Sequence, residues 1–243
     1  MISKRQLKII TSLQQKKYRK STGLFAAEGK KVIQEFLNSN FELDTLFTTD
    51  ESLFASSSKV TLISEVELKK ISFLKTPNKA LALFKISEPA LVENEGLIVA
   101  LDAIRDPGNL GTIIRLCDWF GVKHLVCSET TVDCYNPKVI QATMGSLTRI
   151  NVVYTDLKKY LSETDLPVFG AFMDGNNVYK TNLPTNGILV MGNEANGVSG
   201  EISALITEKI AIPRFGEIQQ TESLNVAMAT GILLNEFKRS EFI

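Results

Sequence analysis

The chain has a single histidine, His124, and only three cysteines, Cys117, Cys127 and Cys134. One imidazole nearly excludes histidine-based metal centres and any Ser-His-Asp arrangement that relies on a second histidine. The cysteines are odd in number and lack a CxxC spacing. A disulfide framework and a structural zinc site are therefore not expected, no metal is assigned, and a reducing cytoplasm is the expected compartment. No apolar run reaches the roughly 20 residues of a membrane span, and Lys4, Arg5 and Lys8 lead into no signal-peptide core. No G-x-G-x-x-G follows the first parallel-type strand, and no Lys-Ser/Thr pair marks a P-loop. That removes the nearest support for a dinucleotide-dependent enzyme.

What remains is ordinarily globular: 243 residues, 44% hydrophobic and 22% charged, enough for one large domain or two modest ones. The net charge of zero conceals an imbalance. Residues 1–31 carry Lys4, Arg5, Lys8, Lys16, Lys17, Arg19, Lys20, Lys30 and Lys31 against Glu28 alone. With 27 basic and 27 acidic residues overall, that segment is +8 and the rest −8. Two readings stand on charge alone: a solvated lysine-rich helix face, or a patch that meets a polyanion.

Residues 1–20 predict a helix with Leu7, Ile10 and Leu13 on one side. "LFAAEGKKVIQEFLNSN", "LDTLFTT", "SEVELKKIS" and "ALALFKI" fill out a small α/β unit to about residue 87, and "SEPALVENEG" (87–96) reads as a linker. Strand and helix then alternate regularly. "GLIVALDAI", "VKHLVCS", "PVFGAFM", "GILVMG" and "EKIAIP" are strands. "TIIRLCDWFG", "NPKVIQATMG", "SGEISALIT" and "SLNVAMATGILLNEFKRS" are helices. Near-continuous apolar strands in this alternation predict an α/β fold with a mainly parallel sheet covered on both faces.

Ligands of such sheets gather beyond the carboxyl ends of the strands, and three loops there stand out. In "RDPGNLGTIIR" (105–115), Asn109 reads as an N-cap. At about 100° per residue Arg115 lies roughly 200° from Ile113, off the stripe Ile113, Leu116, Cys117 and Phe120, facing a ligand, a partner or water. In "ILVMGNEANGVS" (188–199), Gly192 and Gly197 allow close backbone approach, and Glu194 is a helix-start carboxylate or a positioned acceptor. In "IPRFGEIQQTESLNVAMATG" (212–231), Ser223 reads as an N-cap with Asn225 in the first turn, where asparagine is a poor helix residue.

Each loop alone is a weak signal; their order is specific. Asn-x5-Arg, then Gly-Asn-Glu, then Ile-Pro with Ser-Leu-Asn opening the last helix resembles the SpoU/TrmH family of SPOUT-superfamily RNA ribose 2′-O-methyltransferases. "DPGNLGTIIRLCDWFGV", "LVMGNEANGVS" and "IPRFG…ESLNVAMATGILLNEFKR" match its three motifs, and "NPKVIQATMGSLTRI" (136–150) is similar to the stretch after its second strand. The resemblance covers about residues 97–239. Residues 1–90 are similar in layout to the L30e-like substrate-binding domain of many members, which leaves 91–243 as the methyltransferase domain. Arg214 departs from the apolar residue common after Ile-Pro, Asn196 stands where glycine is frequent, and the loop to Ser223 is longer than usual.

The resemblance implies a carboxy-terminal deep trefoil knot, a topology otherwise excluded by default. It implies S-adenosylmethionine bound in bent form by backbone near Gly192, Ile212 and Leu224, with homodimerisation completing the site. It implies methylation of a ribose 2′-hydroxyl of rRNA or tRNA, rRNA favoured. Arg115 would activate that hydroxyl, Asn109 and Glu194 would orient Arg115 and the ribose, and Ser223 and Asn225 would fix backbone and substrate. A guanidine held neutral at pH 7 costs at least about 7 kcal/mol, so Arg115 is read as gripping phosphate or the developing alkoxide. Any deprotonation is confined to the RNA-bound state. Lys16, Lys17, Arg19 and Lys20 would then be the RNA footprint, with Tyr18 as a stacking residue and Phe25 as core. The rival is a non-catalytic RNA-binding or ribosome-assembly factor on the same scaffold, which S-adenosylmethionine calorimetry separates from an enzyme.

Overall fold

A computed structural model describes residues 1–54, 59–216 and 223–239. Most of the longer third-motif loop, residues 217–222, therefore lies outside the described residues. The chain divides into two compact units, Met1–Glu88 with Asp133–Thr148, and Pro89–Val132 with Arg149–Ile243.

In the first unit, α1 (Lys4–Ser12) and α2 (Lys16–Thr22) precede β1 (Leu24–Glu28), α3 (Lys30–Leu37), β2 (Leu43–Thr48), β3 (Val60–Leu62), α4 (Glu65–Ile71) and β4 (Ala80–Lys85). The sheet order is β1-β4-β2-β3, with β4 antiparallel to β1 and β2, and β3 parallel to β2. Ile10, Leu13, Phe47, Leu68, Ile71, Leu81 and Leu83 form a buried core. The single helix expected over residues 1–20 is two helices. The break falls where Leu13 turns into that core and the Arg19 guanidinium takes over the Leu13 and Gln14 carbonyls at 2.6 and 3.0 Å. Those acceptors leave the helical ladder.

The segment 133–148, read from the sequence as part of the second domain, clusters with the first unit. Tyr135 sets its ring 4.8 Å from Phe25, within a group of aromatic rings that includes Phe36, Phe41 and Phe84. The segment also carries the helix Pro137–Thr143, which packs on β1 and is capped by Asn136. Phe25 is core, as its pattern suggested.

The second unit begins with β5 (Leu97–Leu101), α5 (Pro107–Trp119) and β6 (His124–Ser128). Numbering the intervening helix of the first unit α6 (Pro137–Thr143), it continues with β7 (Asn151–Thr155), α7 (Leu157–Ser162), β8 (Val168–Asn177), β9 (Gly187–Met191), α8 (Gly200–Ser203), β10 (Glu208–Ala211) and α9 (Val226–Arg239). Six strands in the order β10-β8-β9-β5-β6-β7 are all parallel. Every residue of β5 and β9 is buried, as expected of central strands covered on both faces. Ile98, Ala100, Val126, Ile188 and Val190 pack against Leu157, Leu161 and Ile202, and α5 packs on α9. Strand β7 and helix α7 have no distinct sequence signal. β7 lies at the sheet edge with intermediate burial throughout, so its pattern has no clean apolar face. Because the chain runs from β5 to β6 on one side and has β9 on the other, the carboxyl end of β5 is the switch point of the sheet.

Candidate active site

The loop leaving β5 at this switch point is held at several points. The buried Asp102 carboxylate accepts the Ser199 N–H at 2.7 Å. Ala103 adopts a left-handed φ of 58°, which is costly for a residue with a Cβ. It is fixed on both sides: its N–H donates to Ser128 Oγ at 2.9 Å, and its carbonyl accepts from Asn193 Nδ2 at 2.6 Å. Asp106 then caps α5, accepting the Asn109 N–H at 2.8 Å, and Pro107 opens the helix. This corrects the assignment of the cap to Asn109. With the cap supplied three residues earlier, the Asn109 side chain is available for other bonds.

The loop leaving β9 closes on itself. Asn193 and Gly197 exchange backbone bonds at 2.9 and 2.8 Å, and Asn193 Oδ1 accepts from the N–H groups of Ala195 and Asn196. A Cβ on Gly192 would sit 2.2 Å from the Gly197 carbonyl carbon, so only glycine permits this closure. The exposed Asn196 takes part through its backbone alone.

These two loops and the start of α9 are joined by one line of hydrogen bonds. Asn225 Nδ2 donates to Asn109 Oδ1 at 2.9 Å, and Asn109 Nδ2 donates to Glu194 Oε1 at 3.1 Å. Asn225 Oδ1 meanwhile accepts from the N–H groups of Ala227 and Met228 at 3.0 and 3.2 Å. Asn225 is thus the cap of α9, correcting the assignment to Ser223, which is exposed and lies before the helix begins. An asparagine that is a poor interior helix residue becomes apt here, because one amide caps a helix and ties it to a distant loop. The chain of bonds also fixes each amide orientation: helix N–H groups hold Asn225 Oδ1, and the carboxylate requires a donor from Asn109.

The structure brings Asn109, Glu194 and Asn225 together and leaves Arg115 and Ser223 outside their network. Arg115 is exposed on the face of α5 that also shows Thr112 and Trp119, and it makes no ion pair or hydrogen bond with the described residues. Asp102 and Asp106, which sequence reasoning passed over, and Asn193, given no role there beyond the Gly-Asn-Glu motif, are the ones that brace the two loops. Asp-Pro before a helix and Asn after Gly192 were visible signals for two of them.

An open cleft of about 410 Å³ lies at the end of β10, lined by Met173, Asp174, Gly175, Asn177, Ala211, Ile212, Pro213 and Arg214. Of the three residues expected at the cofactor, Ile212 lines it. Gly192 shapes the loop after β9, and Leu224 is half exposed before α9. Arg214, the departure after Ile-Pro, is part of the cleft wall. His124 sits at the amino end of β6, the opposite end of a parallel sheet from these loops. Burial pushes its imidazole below the ordinary value. No cluster of metal-ligating side chains occurs among the described residues, and no helix among them is long and apolar enough to cross a membrane.

In the first unit Lys16, Lys17 and Lys20 are exposed on α2, and the Lys17 ammonium lies 4.7 Å from the centre of the Tyr18 ring. Arg19 is the exception to the expected RNA footprint. It is 2% exposed and its Nε donates to Asp133 at 2.9 Å. Its Nη groups donate to Asp133, Leu13 and Gln14, and its burial leaves almost no face for a phosphate.

A parallel α/β unit with polar side chains at its switch point is an architecture in which ligands bind, and the first unit adds exposed lysines on α2. Comparison with known proteins specifies the class. The SpoU rRNA Methylase family profile matches residues 96–235, and that of the MRM3-like substrate binding domain matches residues 4–82. The chain is 30% identical over 230 residues to the 23S rRNA (guanosine(2553)-2′-O)-methyltransferase RlmP of Bacillus subtilis, covering 91% of each. A TrmH-family structure from Porphyromonas gingivalis superposes with a TM-score of 0.90 at 37% identity, covering 99% of both chains. An AdoMet-bound rRNA methyltransferase from Sinorhizobium meliloti gives 0.86 at 29% identity, covering 99% of this chain and 96% of that one. The protein belongs to the SpoU rRNA methylase family.

Proposed function

We propose that this protein transfers a methyl group from S-adenosylmethionine to a ribose 2′-hydroxyl of RNA, with rRNA the favoured substrate. The observation that carries this reading is the Asn225–Asn109–Glu194 line, which ties all three motif loops into one polar surface at the switch point. The cleft beside Ile212 suits the cofactor: its volume falls within the roughly 300–1,000 Å³ of small-molecule sites. Its wall combines apolar Met173, Ile212 and Pro213 with polar Asp174 and Asn177. Bound there, S-adenosylmethionine supplies an electrophilic methyl group.

The residues of the chain then have two tasks, alignment of the ribose oxygen and management of its proton. Alignment of well-oriented reactants contributes up to about 7–11 kcal/mol. Asn109 and Glu194 are suited to it because their rotamers are already set by hydrogen bonds in the absence of substrate. Arg115 contributes a charged donor for phosphate or the developing alkoxide. It shares an exposed face with Trp119, which is 85% exposed, and Met228 of the neighbouring α9 is 66% exposed. A homodimer docked on this face would cover them and bring Arg115 to a composite site. The reading also includes a trefoil knot formed by the segment around the cleft and α9, and a cytoplasmic setting. The first unit is the RNA-binding domain, with Lys16, Lys17 and Lys20 as its footprint.

Calorimetry with S-adenosylmethionine, followed by transfer of a tritiated methyl group to rRNA and tRNA, tests the reading; absence of cofactor binding would favour the non-catalytic alternative. Two sets of variants test its parts. Asn109→Ala and Asn225→Ala should each lower turnover, and together they should fall short of the summed effects, with a coupling of about 0.5–3 kcal/mol in a double-mutant cycle. Strict additivity would dissolve the network. Replacing Lys16, Lys17 and Lys20 with alanine should reduce the slope of log affinity against log salt by about 0.7–0.9 for each phosphate no longer neutralised. An unchanged slope would place the footprint elsewhere.

A further inference from the structure

A second cavity, of about 250 Å³, lies wholly within the first unit. Ala26 and Glu28 of β1 form one wall, Phe73 and Leu74 after α4 another, and Pro137, Lys138, Gln141 and Ala142 of α6 the third. Nothing in the methyl-transfer reading uses it. Glu28 is 5% exposed, an unusual place for a carboxylate unless donors surround it. Its Oε1 accepts the Phe73 N–H at 2.7 Å and its Oε2 accepts the Ser72 hydroxyl at 2.6 Å. A carboxylate has about four acceptor positions, so these two bonds leave Glu28 with capacity for further donors, and Glu28 is one of the residues lining the cavity. Burial pushes the Glu28 carboxyl above its ordinary value, against the opposing pull of those two bonds. Additional donors would therefore stabilise its charge where water does so poorly.

Phe73 and Pro137 supply flat apolar surface, Gln141 supplies both a donor and an acceptor, and Lys138 is an exposed cation at the margin. The cavity is smaller than sites that enclose drug-sized ligands, and its chemistry suits one flat ring system bearing two donors on an edge. Among RNA bases only guanine presents two adjacent N–H donors, N1–H and the N2 amino group, to match two carboxylate oxygens. Adenine and cytosine place a ring acceptor beside their amino group, which a carboxylate repels. Uracil sets its single N–H between two carbonyls. Proteins that read RNA sequence do so mainly on unstacked bases, with aromatic stacking and hydrogen bonds to the Watson–Crick edge.

We propose that this cavity binds an unpaired guanine of an RNA strand, with Glu28 accepting from N1–H and N2, Phe73 against the ring and Gln141 on the remaining polar edge. It rests on the RNA-methyltransferase reading only for the source of the base. The test is NMR titration of the full chain with GMP, AMP, CMP and UMP, and with the single strands UUGUU and UUIUU, in which inosine lacks the N2 amino group. GMP and UUGUU should shift the amides of Phe73, Leu74 and Gln141, and the other three nucleotides should not. UUIUU should bind about tenfold more weakly than UUGUU, the scale of one charge-assisted hydrogen bond. Glu28→Gln keeps an acceptor for Phe73 and should lower guanine affinity about tenfold or more, with S-adenosylmethionine binding unchanged. If Glu28→Gln loses its fold, the guanine-to-inosine ratio of the wild-type chain decides. Equal shifts by all four nucleotides, equal binding of UUGUU and UUIUU, or no shift at the cavity would overturn the assignment. GMP binding as tightly as UUGUU would overturn an RNA strand as the source. None of these readouts needs methyl transfer, so failure here and failure of the enzymatic reading are separate results.

Discussion

Arg115→Ala should lose at least about a hundredfold in methyl transfer to RNA, the scale of removing one donor from a developing charge, while S-adenosylmethionine still binds. The separation follows from where Arg115 stands. Its side chain is exposed, has no hydrogen bond or ion pair with the described residues, and takes no part in the buried face of α5 formed by Leu110, Ile113, Ile114 and Cys117. Surface substitutions of this kind change stability by about 0.5 kcal/mol or less, so lost turnover would not reflect a lost fold. Arg115→Lys should recover only part of the rate, since an ammonium keeps the charge but not the planar fork. Turnover near wild type in Arg115→Ala, with cofactor bound, would remove Arg115 from the mechanism.

The largest stability effect should come from Arg19, the member of the basic segment that does not face solvent. Arg19→Met leaves Asp133, whose side chain is 13% exposed, without its cation, and frees the Leu13 and Gln14 carbonyls that the guanidinium now occupies. Breaking a buried pair from one side costs about 3–5 kcal/mol, whereas replacing both partners with apolar groups is often close to neutral. Denaturant unfolding should therefore show a severe loss for Arg19→Met and a clear recovery when Asp133→Leu is added. Equal losses in the single and double variants would mean that the carbonyl bonds, and not the ion pair, hold the segment. RNA affinity measured on the remaining folded protein should not follow Arg19 as it follows Lys16, Lys17 and Lys20.

The contrast between Arg19 and its neighbours shows where sequence reading stops. Charge and spacing reveal the basic segment, but its one inward residue depends on Asp133, more than a hundred positions away. The parallel sheet is legible because β5 and β9 are apolar throughout. β7 is not, because an edge strand of intermediate burial has neither that run nor a clean alternation. Among the site residues, Asn109, Glu194 and Asn225 stand out by position, yet the caps expected at Asn109 and Ser223 are misplaced. Asp106 and Asn225 fill those roles, and several Asx or Ser residues near a helix start satisfy the same local rule. The amide-to-amide bond between Asn109 and Asn225 joins residues 116 apart and has no local signal at all. Similarly, Asn193 shows its purpose only once the left-handed Ala103 carbonyl is in place to receive its donor.

Whether the three joined loops methylate a ribose hydroxyl of RNA can be read from the RNA of the cell. Ribose methylation should be mapped at nucleotide resolution in total RNA from cells with and without this gene, and with the gene restored as wild type or Arg115→Ala. A 2′-O-methyl mark, in rRNA foremost, should vanish with the gene, return with the wild type and stay absent with Arg115→Ala. Identical methylation maps in all four strains would contradict it.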